Sequence, residues 1–139
     1  MKLIVDASVA IKWAVEEDGR ELARALIVEG NELLAPDFVL VESASILWKK
    51  ARIGEITREQ AEVAVIEVRL PFSEMLPTTS LTDRAFKLAL DLDHPIYDCL
   101  YLAAAELRSA RLVTADRRLL RAVAGSRYQG LLVELGATS

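Results

Sequence analysis

Histidine and cysteine each occur once in this chain of 139 residues, as His94 and Cys99. A single cysteine cannot close an internal disulfide, which fits a reducing compartment. Nor do one histidine and one cysteine supply a zinc site of the Cys/His kind. No apolar run is long enough to span a bilayer, and the N-terminus lacks the basic head and apolar run of a secretory leader. The expectation is a cytoplasmic protein without membrane contact. No repeat, low-complexity tract or flexible linker divides the chain, so a single domain over residues 1–139 is expected. Positive charge is also short: 17 Lys and Arg against 21 Asp and Glu leave a net charge of −4. That balance disfavours a protein holding nucleic acid by bulk positive charge. It leaves a nuclease open, because acids gathered round cations offset one another.

What is present is a folding composition, with 53% hydrophobic and 27% charged residues. Lys2-Leu3-Ile4-Val5 is apolar, β-branched and too short for a helix, hence a buried strand. Helical spacing follows from Asp6-Ala7-Ser8 to Val15 and again from Gly19 to Glu29, where Gly30 ends it. Glu32 to Ala35 reads as a strand closed by Pro36. A helix from Asp37 ends in Lys49-Lys50-Ala51-Arg52, with Gly54 as its stop. Thr57 and Gln60 form a capping-box pattern before a helix through Val68, and Pro71 precedes a strand over Phe72 to Leu76. Ser80 or Thr82 starts a helix that ends before His94-Pro95. Ile96 to Arg108 is a helix apolar enough to be mostly buried. Arg111 to Thr114, Asp116 to Ala124 and Leu131 to Leu135 read as strand, helix and strand. Short apolar strands separated by helices imply an α/β fold with a mainly parallel central sheet of about five strands. Ligands of such sheets bind off the strands' carboxyl ends, where Asp6 and Asp116 fall.

Four acids carry the functional argument. Asp6 and Asp116 each sit between a strand and a helix, where an aspartate also serves as an N-cap. Glu42 is flanked by apolar residues in Phe38-Val39-Leu40-Val41-Glu42-Ser43-Ala44, and either faces solvent or pairs with Lys12 or Lys49. Asp98 enters the most apolar helix, where the helix dipole favours it but burial of an unpaired charge does not. No basic residue lies between His94 and Arg108, so its partner is expected from elsewhere in the fold or from a metal. His94, beside Pro95, is expected in a loop or helix end rather than as a ligand. Carboxylates about 4 Å apart repel by ~4 kcal/mol at an effective dielectric near 20. A hard divalent cation converts that repulsion into coordination, and carboxylate oxygen suits Mg²⁺ or Mn²⁺. Such sites perform phosphoryl chemistry by activating water and stabilising the leaving oxygen.

In order, Val5-Asp6-Ala7-Ser8, Leu40-Val41-Glu42-Ser43-Ala44, Ile96-Tyr97-Asp98-Cys99-Leu100-Tyr101-Leu102-Ala103 and Val113-Thr114-Ala115-Asp116-Arg117-Arg118-Leu119 resemble the motifs of PIN-domain nucleases. Chain length and the Asp98 motif are most similar to the VapC toxins of toxin–antitoxin pairs. The resemblance spans essentially the whole chain and implies a three-layer α/β/α fold with Mg²⁺- or Mn²⁺-dependent endoribonuclease activity. It implies Asp6, Glu42, Asp98 and Asp116 as catalytic metal ligands, with Ser8 and Thr114 behind them. It further implies RNA as substrate, a VapB-type antitoxin partner and a homodimer. Lys12, Lys49, Lys50, Arg117 and Arg118 are candidate phosphate contacts, though basic residues at helix ends are also simply dipole-compatible. Trp13 and Trp48 suit either packing or an interaction surface.

Other classes fit less well. A phosphoacceptor receiver needs an acidic pair after the first strand and an aspartate after the third, where Met75-Leu76-Pro77-Thr78 has none. A phosphatase working through aspartyl-phosphate needs a second acid close behind Asp6, and Ala7-Ser8-Val9 has none. The remaining alternative is a non-catalytic PIN-like module that binds RNA or protein.

Overall fold

The computed structural model describes residues 1–137. In chain order its elements are β1 (Lys2–Val5), α1 (Ala7–Ala14), α2 (Arg20–Val28), β2 (Glu32–Pro36), α3 (Phe38–Arg52) and α4 (Arg58–Glu67). Then come β3 (Glu74–Leu76), α5 (Thr82–Leu92), α6 (Ile96–Leu107), β4 (Arg111–Thr114), α7 (Arg117–Val123) and β5 (Leu132–Glu134). The strands pair in the order β3-β2-β1-β4-β5, and every pairing is parallel.

Pleat alternation sorts the strand residues onto two covered faces. Ile4, Leu34, Leu112 and Leu132 join the large core with α5 and α6 residues such as Leu88 and Leu102. Leu3, Val5, Leu33 and Val113 join the opposite core with Val9, Trp13 and Ala23 of α1 and α2. A third cluster of Ile11, Val15, Leu47, Ala64 and Val68 ties α1 to α3 and α4. The sheet is thus enclosed between helical layers, as expected.

α6 is buried continuously from Cys99 to Ala105 and packs against β1, β2 and β4. Its small Ala103, Ala104 and Ala105 admit close approach to the sheet. Truncating a large neighbour such as Leu102 would cost about 2–5 kcal/mol. The capping box of Thr57 and Gln60 forms in both halves.

Some boundaries differ from the sequence reading. β3 begins at Glu74 because the turn after α4 still holds Phe72, whose N–H donates to the Arg69 carbonyl at 3.3 Å; its ring meets Trp13 edge-on, with centroids 5.2 Å apart. Leu131 closes a 3-10 turn rather than opening β5, and a second such turn spans Thr78–Ser80. Trp13 is interior, donating to the Ala23 carbonyl at 2.8 Å. Trp48 is instead 58% exposed, with the Arg52 guanidinium over its ring. Among the described residues no helix is long and apolar enough to cross a membrane.

The strand order reverses direction between β1 and β4. Chain connections leave β1 toward β2 and β3 on one side, and β4 toward β5 on the other. The carboxyl ends of these two central strands therefore border the crevice where α/β sheets bind ligands.

Candidate active site

The junction after β1 places Asp6, only 5% exposed, at the N-cap of α1. Its Oδ1 accepts from the Ser8 hydroxyl at 2.6 Å and from the Val9 N–H at 3.3 Å. Its Oδ2 accepts from the Thr114 hydroxyl at the end of β4. Ser8 in turn accepts from the Ala115 N–H at 3.1 Å, so the two junctions are stitched in both directions. Burial pushes the Asp6 carboxyl up to about 7, although the Ser8 and Thr114 hydroxyls pull it down; the charge of Glu42 adds to the rise.

Glu42 is the hub. Burial raises its pKa against the pull of the Tyr101 hydroxyl, and the charges of Asp98 and Asp116 raise it further. All four acids are thus in electrostatic contact through this one glutamate. Neither Lys12 nor Lys49 pairs with it; Tyr101 donates to its Oε1 at 2.6 Å instead. Tyr101 is itself 1% exposed and takes a backbone hydrogen bond from Ala7, which ties Glu42 back to the Asp6 junction.

Asp98 has a partner that the sequence reading did not assign. His94 Nε2 lies 2.6 Å from its Oδ2, with the imidazole only 7% exposed. Pro95 caps α6 and leaves His94 just outside the helix, which obscured an ordinary four-residue spacing. Asp116 caps α7, its Oδ1 accepting from Arg118 N–H at 2.9 Å and Leu119 N–H at 3.3 Å. Its own N–H donates to the Thr114 hydroxyl at 3.0 Å. For both Asp6 and Asp116 the capping role and the crevice position coexist.

The basic candidates divide. Lys12 and Lys50 both grip Glu17, at 3.2 and 2.9 Å, which corrects their reading as free phosphate contacts. Arg117 and Arg118 remain exposed beside Asp116, with Glu134 3.8 Å from Arg117. Lys49 is exposed on α3.

The donors present are all carboxylate oxygens, the set that hard divalent cations prefer. Among the described residues, Glu42 Oε2, Asp98 Oδ1 and Asp116 Oδ2 accept no protein hydrogen bond, so each acid outside the Asp6 nest keeps one free oxygen. A buried carboxyl raised to about 7 beside like charges is the environment a cation would stabilise. In the present arrangement no three Asp, Glu, His or Cys side chains among the described residues close into a metal cage. The donor chemistry fits a divalent ion.

Parallel sheet and switch-point carboxylates together define an α/β protein of the acidic-crevice class. The chain belongs to the PIN-domain family, whose profile matches residues 3–125. It is 36% identical over 122 residues to ribonuclease VapC3 of Pyrobaculum aerophilum, covering 86% of this chain and 92% of that protein. Exonuclease VapC9 of the same organism is 29% identical over 138 residues, covering 99% and 98%. The crystal structure of PAE2754 from P. aerophilum superimposes with a TM-score of 0.69 at 26% identity, covering 97% of this chain and 84% of that one.

Proposed function

We propose that this protein is a VapC-type toxin, an endoribonuclease in which Asp6, Glu42, Asp98 and Asp116 hold Mg²⁺ or Mn²⁺ at the scissile phosphate. The observation that carries this reading is the coupling of four carboxylates through Glu42 at the switch point of a PIN sheet. A divalent ion there would neutralise phosphate charge and make water a better nucleophile. The chain's own groups do the rest. Ser8 and Thr114 fix both oxygens of Asp6, Tyr101 aims Glu42, and His94 steadies Asp98. Arg117, Arg118 and Lys49, all exposed, are the side chains assigned to backbone phosphates.

Ribonuclease is the name of one relative and exonuclease that of another. Asp6 and Asp116 lie at the carboxyl ends of the two central strands, and the reading of internal cutting rests on the VapC resemblance. A cognate VapB-type antitoxin, a homodimer and a cytoplasmic setting complete the reading, and rest on the VapC resemblance.

The test compares linear and circular single-stranded RNA with Mg²⁺, Mn²⁺ or EDTA. Expected are cation-dependent nicks in both substrates, with a 3′-hydroxyl leaving group, and loss of cleavage in Asp6→Asn. Cleavage confined to the ends of linear RNA would make the enzyme an exonuclease. Intact RNA in both cations would favour the non-catalytic module. Expression alone should arrest growth, and co-expression of the adjacent open reading frame should relieve it; harmless high-level expression counts against the toxin assignment.

A further inference from the structure

The mouth of the crevice carries an aromatic pair that the cleavage reading leaves unused. Phe38 and Tyr97 stack with ring centroids 5.3 Å apart and planes 12° from parallel. Phe38 opens α3 one turn before Glu42, so the two share a helix face. Tyr97 lies in the first turn of α6, immediately before Asp98. Phe38 thus sits one helical turn from Glu42, and the Tyr97 ring stacked on it stands at the start of the helix that carries Asp98.

The two rings have different surroundings. Phe38 is partly buried against the main core, whereas Tyr97 is 59% exposed. The start of α3 is also pinned to the loop after β3, where Asp37 accepts from the Thr78 N–H at 3.0 Å and from the Thr78 hydroxyl, and the core packs behind the Phe38 ring. A ring backed in this way gives up little rotamer freedom when something stacks on its outer side. The other aromatic pair, Trp13 with Phe72, is tilted at 63° and contributes Trp13 to the interior, as packing residues do.

An unpaired nucleobase is a flat π surface, and proteins hold single strands by stacking bases on aromatic rings. A base on Tyr97 would hold its strand beside the helix starts that lead to Glu42 and Asp98. With a net charge of −4, the chain cannot rely on bulk charge for RNA affinity, and stacking supplies a term independent of it.

We infer that Tyr97, backed by Phe38, is a stacking platform for an unpaired base beside the scissile phosphate. The inference rests on the ribonuclease reading. Stacking tolerates any base, so the platform selects single-stranded over paired RNA rather than one sequence.

The test is steady-state cleavage of a single-stranded RNA by wild type, Tyr97→Ala and Tyr97→Trp, with far-UV circular dichroism to verify folding. Stacking is worth about 1–3 kcal/mol per base, so Tyr97→Ala should raise KM roughly 10-fold and leave kcat within about threefold. Tyr97→Trp should restore KM. An RNA with one abasic position next to the cut should lose the same factor with wild type and nothing further with Tyr97→Ala. Unchanged KM in Tyr97→Ala, or additive losses with the abasic RNA, would overturn the platform while leaving the ribonuclease intact. A wild type that cleaves no RNA sinks the ribonuclease reading and the platform with it.

Discussion

The junctions after β1 and β4 are near copies: each follows a central parallel strand, carries an aspartate and caps a helix with it. Their environments differ. Asp6 is 5% exposed and accepts from two hydroxyls as well as its cap N–H, whereas Asp116 is half-buried and accepts only from its cap. The same local device is a buried carboxyl with a raised pKa in one place and a more open cap with a free oxygen in the other. Burial and the cross-links from Thr114 and Ser8 make that difference, and the cap geometry does not.

The largest expected effect is on cleavage. Asp6→Asn should reduce it roughly a thousandfold and Asp116→Asn only about 10-fold, measured on one RNA at saturating Mg²⁺. Equal losses would erase the distinction between the junctions.

Next comes Thr114→Val, which removes the hydroxyl that both junctions share. It leaves an Asp6 oxygen and the Asp116 N–H without partners inside the protein, an expected cost of about 1–3 kcal/mol in urea unfolding. Ser8→Ala should cost less, because Ser8 is less enclosed than Thr114, which is 0% exposed.

The pH dependence of stability isolates Asp6. Its folded value of about 7 lies above the ordinary 3.8, so the folded state binds the proton more tightly than the unfolded chain. That contribution is complete below about pH 4 and is lost as pH rises through 7. Without added metal, wild type should therefore lose roughly 2 kcal/mol relative to Asp6→Asn between pH 5 and 8, read from denaturation midpoints. A flat difference would show that Asp6 is not the strained junction. Smallest is Asp116→Ala, which should cost about 1 kcal/mol as the loss of a cap, in the same denaturation assay.

Much of the fold was legible because it is written in local runs. Leu3-Ile4-Val5 and Leu112-Val113 show their burial by having no polar alternation, and Gly30, Gly54 and Pro71 mark where elements end. The 3-10 turns were missed because three residues give no period to detect. At the site, the acids could be found as types in order, and the resemblance set Ser8 and Thr114 behind them, but the partner of Glu42 had no local signal. Tyr101 meets Glu42 across 59 positions. His94 and Asp98 are the exception: their separation of four was visible, and only Pro95 argued against a shared helix face. Trp48 and Trp13 show the same limit, since helical spacing alone does not say which face is covered.

The bond between Asp6 and Thr114 joins residues 108 positions apart. Synthesis runs from the N-terminus, so Asp6 emerges long before the strand that will hold it. A nascent or truncated chain ending ahead of β4 has a first strand without its neighbour and an aspartate without its hydroxyl. The crevice therefore cannot assemble before β4 has emerged and paired with β1. Any cutting that depends on Asp6 waits until β4 has been translated and has docked beside β1.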